Sequence, residues 1–357
     1  MPPTNRSAAG QATPSVSAEA LKRFATEIFV RAGMSEAHAG LVAEVLVWAN
    51  LRGVDTHGVT RIPRYVDLIE AGDMNPKPAI TVRTETAASV LIEADRAPGP
   101  VAMTTATAAA VRKAREAGIG LALVRATTHT AALGYYTLAA VREGMAAIAL
   151  SASWPNMAYH GARAAGVSTS PISIAVPADG GPVVLDMATG VVSMGKLVQA
   201  KKAGEAIPAG WALDANGNPT TDPQAAQIPL PMAGPKGSGL ALMIECITSL
   251  LVSNPLLAET LEGTLAGGRH RQNGLAIAID VARFGDAAAF GREVSRLVAA
   301  LKGLPVDPEV GEILVPGERG ERTFAKRSRE GIPVPPAVLD ELHVLAKRLG
   351  ATMFASS

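Results

Sequence analysis

Between Arg52 and Arg61 the chain reads Arg-Gly-Val-Asp-Thr-His-Gly-Val-Thr-Arg, placing an imidazole, hydroxyls, a carboxylate and two guanidinium groups between apolar stretches. If the chain turns helical just after Asp55, His57 and Arg61 fall one turn apart on a single face. That pair suits a 2-oxo acid. A guanidinium grips the carboxylate with two parallel hydrogen bonds, while an imidazole exchanges a proton with the neighbouring oxygen or nitrogen. The same residues would equally serve a capped helix start with solvated polar groups. A second histidine, His129, sits in Thr127-Thr-His-Thr-Ala-Ala-Leu-Gly-Tyr-Tyr136. It follows an apolar strand ending at Val124, where α/β sheets place functional loops; a hydrogen-bonded structural histidine would look the same.

Three more loop or strand-end segments stand out: Thr169-Ser-Pro171, Asp186-Met-Ala188 and Gly234-Pro-Lys-Gly-Ser-Gly239. The last directly precedes a helix, so its backbone N–H groups and Lys236 could receive a phosphate. Each alone is a turn; together they resemble the lining of a cofactor cleft. No G-x-G-x-x-G follows a strand, so the Rossmann fingerprint is missing. Gly190-Val-Val-Ser-Met-Gly-Lys196 matches most of a P-loop, but Leu197 stands where a hydroxyl must reach magnesium, which argues against phosphotransfer. The six histidines, at 38, 57, 129, 160, 270 and 343, form no metal-binding pair, and no metal is expected.

The elements that must hold these groups are readable from periodicity. Ser17 predicts an N-cap for a helix through about Ala32, and Ser35 for a second carrying Leu41, Val42, Val45, Leu46 and Ala49. A short third helix is expected after Thr60, with Pro63 near its start and Gly72 closing it. Strands are expected at 81–84, 89–92, 121–124, 146–151, 172–176, 183–185 and 275–279. Helices are expected at 106–117 and 290–301, and the 239–252 run reads as a buried helix. The amphipathic stretch Pro335 to Leu349 should return to the N-terminal helices. The fold class is therefore α/β, with a central sheet domain and a helical part drawn from both termini. We expect a disordered tail over 1–16, N-terminal helices over 17–80, the sheet domain over 81–305 and a returning C-terminal segment over 306–357.

Bulk properties limit the partners. The 357-residue chain is 48% hydrophobic and 18% charged, with a formal charge of +1, which suits a globular domain and offers no basic face for nucleic acid. The Met1–Pro14 stretch lacks the apolar core of a signal peptide. The longest apolar run, 239–252, is interrupted by Glu245 and is shorter than the roughly 20 residues that span a bilayer. The single cysteine, Cys246, excludes an intramolecular disulfide and reads as a buried thiol. A cytoplasmic protein without a membrane partner is expected.

Taken in order, the motifs resemble the malate/L-lactate dehydrogenase family of the non-Rossmann type, a group that includes ureidoglycolate and sulfolactate dehydrogenases, diketogulonate reductase and piperideine-2-carboxylate reductases. The resemblance runs from about Ser17 to the C-terminal helix. It is carried by Asp55-Thr-His-Gly-Val-x-Arg61, by Leu185-Asp-Met-Ala-Thr189 followed by Gly195-Lys196, and by Lys236-Gly-x-Gly-Leu240. It implies a non-Rossmann NAD(P)-binding fold with a central mixed sheet, and a homodimer binding NAD or NADP near the subunit interface. By similarity His57 is the proton donor, Thr56 its relay partner and Arg61 the clamp on the substrate carboxylate. His129 corresponds to a histidine with the acid/base role in some members. Thr169 would contact substrate, and Asp186, Met187, Ala188, Lys236 and Gly237 the cofactor.

Several positions depart from the family pattern. Thr56 replaces a more common serine, Ser170 an asparagine, and Thr130 an aromatic residue, while Trp154-Pro-Asn-Met157 is distinctive. The expected reaction is hydride transfer between NAD(P)H and C2 of a small 2-oxo acid. Reduction of a cyclic 2-imino acid is the alternative, and an inactive nucleotide-binding protein the alternative of another class. Choice of NADP would need a cation near the ribose, for which Arg269 and Arg271 are candidates.

Overall fold

The computed structural model describes residues 14–264 and 271–354. Its N-terminal layer is α1 (Ala18–Arg31), α2 (Glu36–Leu51) and α3 (Ile62–Glu70). Ser17 and Ser35 cap the first two, their hydroxyls accepting the N–H of Ala20 and His38 at 3.2 Å each. Leu21, Phe24, Ile28, Phe29, Val42, Leu46, Tyr65 and Val66 form one apolar cluster here. Ser15 and Val16, assigned above to the 1–16 tail, instead pair antiparallel with Pro333 and Ile332, and Val16 is buried. Residues 1–13 of that expectation lie outside the described residues.

The central sheet is built from β1 (Thr81–Glu85), β2 (Ser89–Glu93), β3 (Ile119–Thr127), β4 (Met145–Ala152), β5 (Ile172–Val176), β6 (Val183–Met187) and β7 (Gln272–Asp280). Their order is β1-β2-β3-β7-β4-β5-β6. Only β2 and β3 run parallel; every other neighbouring pair is antiparallel, so the sheet is mixed. The late strand β7 is inserted between β3 and β4, where both of its edges are paired.

The helices α4 (Gly99–Ala117) and α5 (Gly134–Arg142) cover one face of this sheet. Gly120 of β3 permits close approach of α4, since a Cβ there would lie 1.9 Å from the Ala110 carbonyl oxygen. The opposite face presents Leu121, Leu123, Ile148, Leu150, Leu275 and Ile277 to Leu240 and Ile244. Leu121 and Leu123 stay half-buried, so β3 alternates rather than being buried on both faces as its apolar run suggested.

Leu240 and Ile244 belong to α7 (Pro235–Glu245), which follows α6 (Met194–Ala203). The expected buried helix over 239–252 needs correction. It starts at Pro235, widens into one π turn at Cys246–Leu250, and buries one face only. Leu242, Met243, Ile247, Leu250 and Leu251 are exposed, and Cys246 is half-buried rather than buried. Glu245, which breaks the apolar run, is buried: its carboxylate accepts from Ser249 Oγ at 2.7 Å and from the Leu256 and Leu257 N–H groups. After α8 (Ala287–Lys302) the chain returns as α9 (Glu318–Glu330), packed on α2, and α10 (Pro336–Leu349), packed on α1 and α3.

Candidate active site

The link from α2 to α3 is not the continuous helix expected after Asp55. It forms two single 3-10 turns, Asp55–His57 and Val59–Arg61, separated at Gly58 (φ −94°, ψ −149°). The cause is Asn50, buried at the end of α2. Its Oδ1 accepts the Val59 N–H at 2.8 Å and its Nδ2 donates to Asp55 Oδ1 at 2.6 Å. A Cβ on residue 58 would lie 2.1 Å from Asn50 Oδ1, so only glycine fits. Arg61 nevertheless folds back on the histidine turn, donating from Nε to the Thr56 carbonyl at 2.6 Å. The proximity expected from helical spacing is reached by a bent turn instead.

Thr56 Oγ1 lies 3.0 Å from His57 Nδ1. Its methyl faces Gly195 of α6, where a Cβ would come within 2.1 Å of Thr56 Cγ2. The methyl that distinguishes threonine from serine is thus used as packing, and it restricts the hydroxyl to few orientations. His57 stacks on His129, with ring centroids 5.4 Å apart and planes at 26°. The His129 loop is fastened from two sides. Thr127 and Thr128 hydroxyls donate to the Ala97 carbonyl at 3.0 Å each, and Gly99 abuts the His129 carbonyl so closely that a Cβ would lie 2.1 Å from its oxygen. Tyr65 of α3 places its hydroxyl 2.8 Å from His129 Nδ1 and 3.1 Å from the His129 carbonyl oxygen.

A carbonyl can only accept. When Tyr65 donates to it, the phenol oxygen receives the Nδ1–H of His129, and Nε2 is left to exchange a proton. Burial raises the Tyr65 hydroxyl above the usual phenol range, which keeps that proton on the oxygen at neutral pH. Both imidazoles are held neutral. Desolvation and the neighbouring Arg61 charge lower His57 to about 4. The same causes, with His57 added, push His129 well below the ordinary histidine range. Two imidazoles stacked beside a guanidinium cannot both carry charge, so their titrations are coupled.

The other expected site residues gather on an adjoining rim. Asp186, near the end of β6, accepts the Gly134 N–H at 2.7 Å, where the first turn of α5 offers its positive end to a carboxylate. The Asp186 side chain keeps solvent-facing surface yet is ringed by protein, and this surrounding raises it to about 6, against the lowering effects of the Gly134 N–H and Arg52. Thr189 N and Oγ1 donate to the Thr169 carbonyl at 2.9 and 3.0 Å, and the Thr169 N–H donates to Asn156 Oδ1. The Thr189 carbonyl in turn accepts from Met232, whose carbonyl accepts the Gly237 N–H. Gly237 is buried against both carbonyls, while Lys236 beside it is exposed.

The structure therefore forms two adjoining groups. Thr56, His57, Arg61 and His129 make one; Thr169, Asp186–Ala188, Lys236 and Gly237 make the other. They meet where Gly195 abuts Thr56 and where Asp186 holds Gly134, five residues beyond His129. Among the described residues, neither Thr169 nor Lys236 hydrogen-bonds to either imidazole. Ser193 of the P-loop-like stretch caps α6, accepting the Lys196 N–H at 3.3 Å, and Leu197 is buried. Sequence reading missed Asn50, Tyr65 and Arg327. The first two fall at apolar-looking helix positions, and Arg327 lies 272 residues from its partner Asp55. Arg271 ion-pairs with Glu259 at 3.6 Å, and Arg269 lies outside the described residues.

The chain is similar to known proteins over nearly its whole length. A family model described as malate/L-lactate dehydrogenase matches residues 16–343. A malate dehydrogenase of Pyrococcus horikoshii is 35% identical over 337 residues, covering 92% of this chain and 93% of its own. A Delta(1)-pyrroline-2-carboxylate/Delta(1)-piperideine-2-carboxylate reductase of Pseudomonas syringae is 31% identical, covering 95% and 98%. The solved structure of malate dehydrogenase from Pyrococcus horikoshii superposes with a TM-score of 0.87 at 32% identity, covering 97% of this chain and 99% of that one. With the mixed sheet and the ordered motifs, these matches place the chain in the malate/L-lactate dehydrogenase family.

Proposed function

We propose that the protein transfers hydride reversibly between NAD(P)H and C2 of a small 2-oxo acid, with the Asp55–Arg61 turn as its chemical centre. As a family member it is an oxidoreductase acting on a CH–OH or CH–NH group. The observation that carries the reading is the stacked His57–His129 pair beside the Arg61 guanidinium. Arg61 would bind the substrate carboxylate, so that C2 and its oxygen face the half-buried imidazoles. With the substrate carboxylate offsetting the Arg61 charge, His57 as the imidazolium gives its proton to the developing alkoxide, its Nδ1 held by the Thr56 hydroxyl.

When bound, a nicotinamide supplies or accepts hydride at C4. The donor set on the adjoining rim fits such a group: Asp186 is an acceptor for ribose or amide, Lys236 a cation for phosphate, and Met187, Ala188 and Gly237 supply backbone and apolar surface. A second reading, reduction of a cyclic 2-imino acid, draws support from the neutral histidines. A protonated imine brings its own proton and would be repelled by an imidazolium beside Arg61.

The test is steady-state turnover of pyruvate, oxaloacetate and piperideine-2-carboxylate, each with NADH and NADPH. Turnover is expected only with a carboxylate beside the reducible carbon, and ketones without one should be inert. Binding of a nicotinamide cofactor without turnover of any of these acids would overturn the catalytic reading.

We also assign a homodimer interface to the unpartnered stripe on α7 and its π turn. Met243, Ile247, Leu250 and Leu251 recur at helical spacing, with Met243 57% and Leu251 61% exposed. The stripe lies on the same helix as Lys236 and Gly237 of its first turn, which supports an interface beside the proposed cofactor rim. Sedimentation should give twice the chain mass of 36.6 kDa, and Met243→Glu with Leu251→Glu should give monomers. A monomeric parent protein would refute the assignment.

A further inference from the structure

The helix α9 reaches back 272 residues in sequence to the histidine turn. Arg327 Nη1 donates to the Asn50 carbonyl at 2.5 Å and to Asp55 Oδ1 at 2.7 Å, and Nη2 donates to Asp55 Oδ2 at 3.1 Å. Asp55 Oδ1 also accepts from Nδ2 of Asn50, and the Oδ1 of that amide accepts the Val59 N–H on the far side of Gly58. Three side chains thus fasten both halves of the bent turn. The Arg327 side chain is 16% exposed and Asp55 30% exposed, so the pair is only partly screened by water.

A second grip lies one helical turn and a half earlier in α9. Arg52, 8% exposed, donates to Glu321 Oε2 at 2.7 Å and to the Gly317 carbonyl at 3.0 Å. Gly317 presses on β6: a Cβ there would lie 2.5 Å from Val184 Cγ1, and the Val184 N–H donates to the Pro316 carbonyl. Val184 precedes Asp186 by two residues on the same strand. The 315–330 segment therefore touches both the strand that carries Asp186 and the turn that carries Thr56 and His57.

We propose that Arg327 is a positioning residue, setting the Thr56–His57 turn through Asp55 and Asn50 and fixing its distance from β6. Isolated three-residue 3-10 turns have poor hydrogen-bond geometry and hold their shape through neighbours. Here the neighbour is a bidentate guanidinium that also takes the last carbonyl before Leu51. Lysine cannot replace it, since one ammonium cannot span two carboxylate oxygens and a carbonyl in that fixed fork. Among the described residues none of these three side chains hydrogen-bonds to an imidazole, so the effect is one of placement. The inference rests on the reading that this turn carries the proton chemistry.

The experiment compares Arg327→Met, Arg327→Lys, Asp55→Asn and the Asp55→Asn/Arg327→Met double variant with the parent. Expected is a kcat loss of about 10- to 100-fold in Arg327→Met, since a displacement of about 1 Å can cost 10²-fold. Cofactor Kd should stay within twofold, Arg327→Lys should recover only part, and the double variant should be no worse than Arg327→Met. Imidazole ¹H–¹⁵N spectra provide a readout independent of turnover, in which the His57 signals should shift in Arg327→Met and less in Asp55→Asn. If the parent turns over none of the acids, the proposed function fails while the spectra still test the brace. A kcat within twofold together with unchanged His57 signals overturns the proposal. So does a loss shared equally by kcat, cofactor Kd and Tm across all four variants.

Discussion

Replacing His57 by alanine is expected to lower kcat on the order of 100-fold or more, the range general acid–base catalysis supplies. Cofactor affinity should hold, because the residues we propose for it, Asp186 and Lys236, lie on the adjoining rim. His129→Ala is the necessary companion. Its ring stacks on His57 at 5.4 Å and has its own partner at Nδ1 in Tyr65, so it is equipped for the same task. If His129→Ala shows the large loss and His57→Ala only a few-fold one, the donor is His129, and Tyr65 takes the place we give to Thr56. Equal losses would mean that the pair acts as one coupled unit, in which removal of either ring is as damaging as removal of both.

The pH profile carries the same argument with a definite sign. In the free enzyme His57 sits at about 4, depressed by desolvation and Arg61. The neutral base needed to oxidise a 2-hydroxy acid is therefore present at pH 7, and with cofactor saturating, kcat/KM should fall as pH drops through about 4. A substrate carboxylate on Arg61 cancels much of that positive charge, and a nearby anion favours the imidazolium. The acid limb of kcat, which reports the complex, should then lie at higher pH than that of kcat/KM. In the reductive direction kcat should decline as pH rises through the same value. Acid limbs at one common pH in both parameters would remove Arg61 as a contributor to the depression and leave desolvation alone.

What could be read in advance, and what could not, divides by range of interaction. The caps at Ser17 and Ser35, the strand cores and the helix closing near Gly72 follow from neighbours within a few residues, and they are where local pattern put them. The fold class followed from the alternation of such elements. The order β3-β7-β4 did not, because β7 enters the sheet more than 140 residues after β3, and nothing local to 272–280 marks that slot. The bent histidine turn escaped for the same reason: Asn50 reads as one more position of α2, and its amide is what forbids a side chain at Gly58. Arg327 carries no signal at all in its own segment, which is rich in exposed charge. The exposed face of α7 was misjudged because an apolar run looks the same whether one face of the helix is buried or both are.

Replacing Arg61 by methionine should affect binding more than any other single change in the site. Removing one member of a desolvated, hydrogen-bonded charge pair costs about 2–5 kcal/mol, so kcat/KM for a 2-oxo acid should fall by at least about 30-fold. The loss should appear mostly in KM, as expected when the clamp binds ground and transition states alike. Arg61→Lys should recover only part, since the guanidinium fork is held in plane by Nε donating to the Thr56 carbonyl, a bond an ammonium cannot make while also reaching the carboxylate. The methyl ester of the preferred acid separates this role from general disruption of the turn. The parent should discriminate strongly against the ester, and Arg61→Met should treat acid and ester nearly alike. A variant that still prefers the acid would show that another cation holds the carboxylate. Removing Arg61 also lifts part of the depression on His57 and His129, so their titration should move toward the ordinary histidine range. A substrate clamp that also tunes the proton donor would make the state of the histidines depend on whether a carboxylate is bound, coupling protonation of the site to its occupancy.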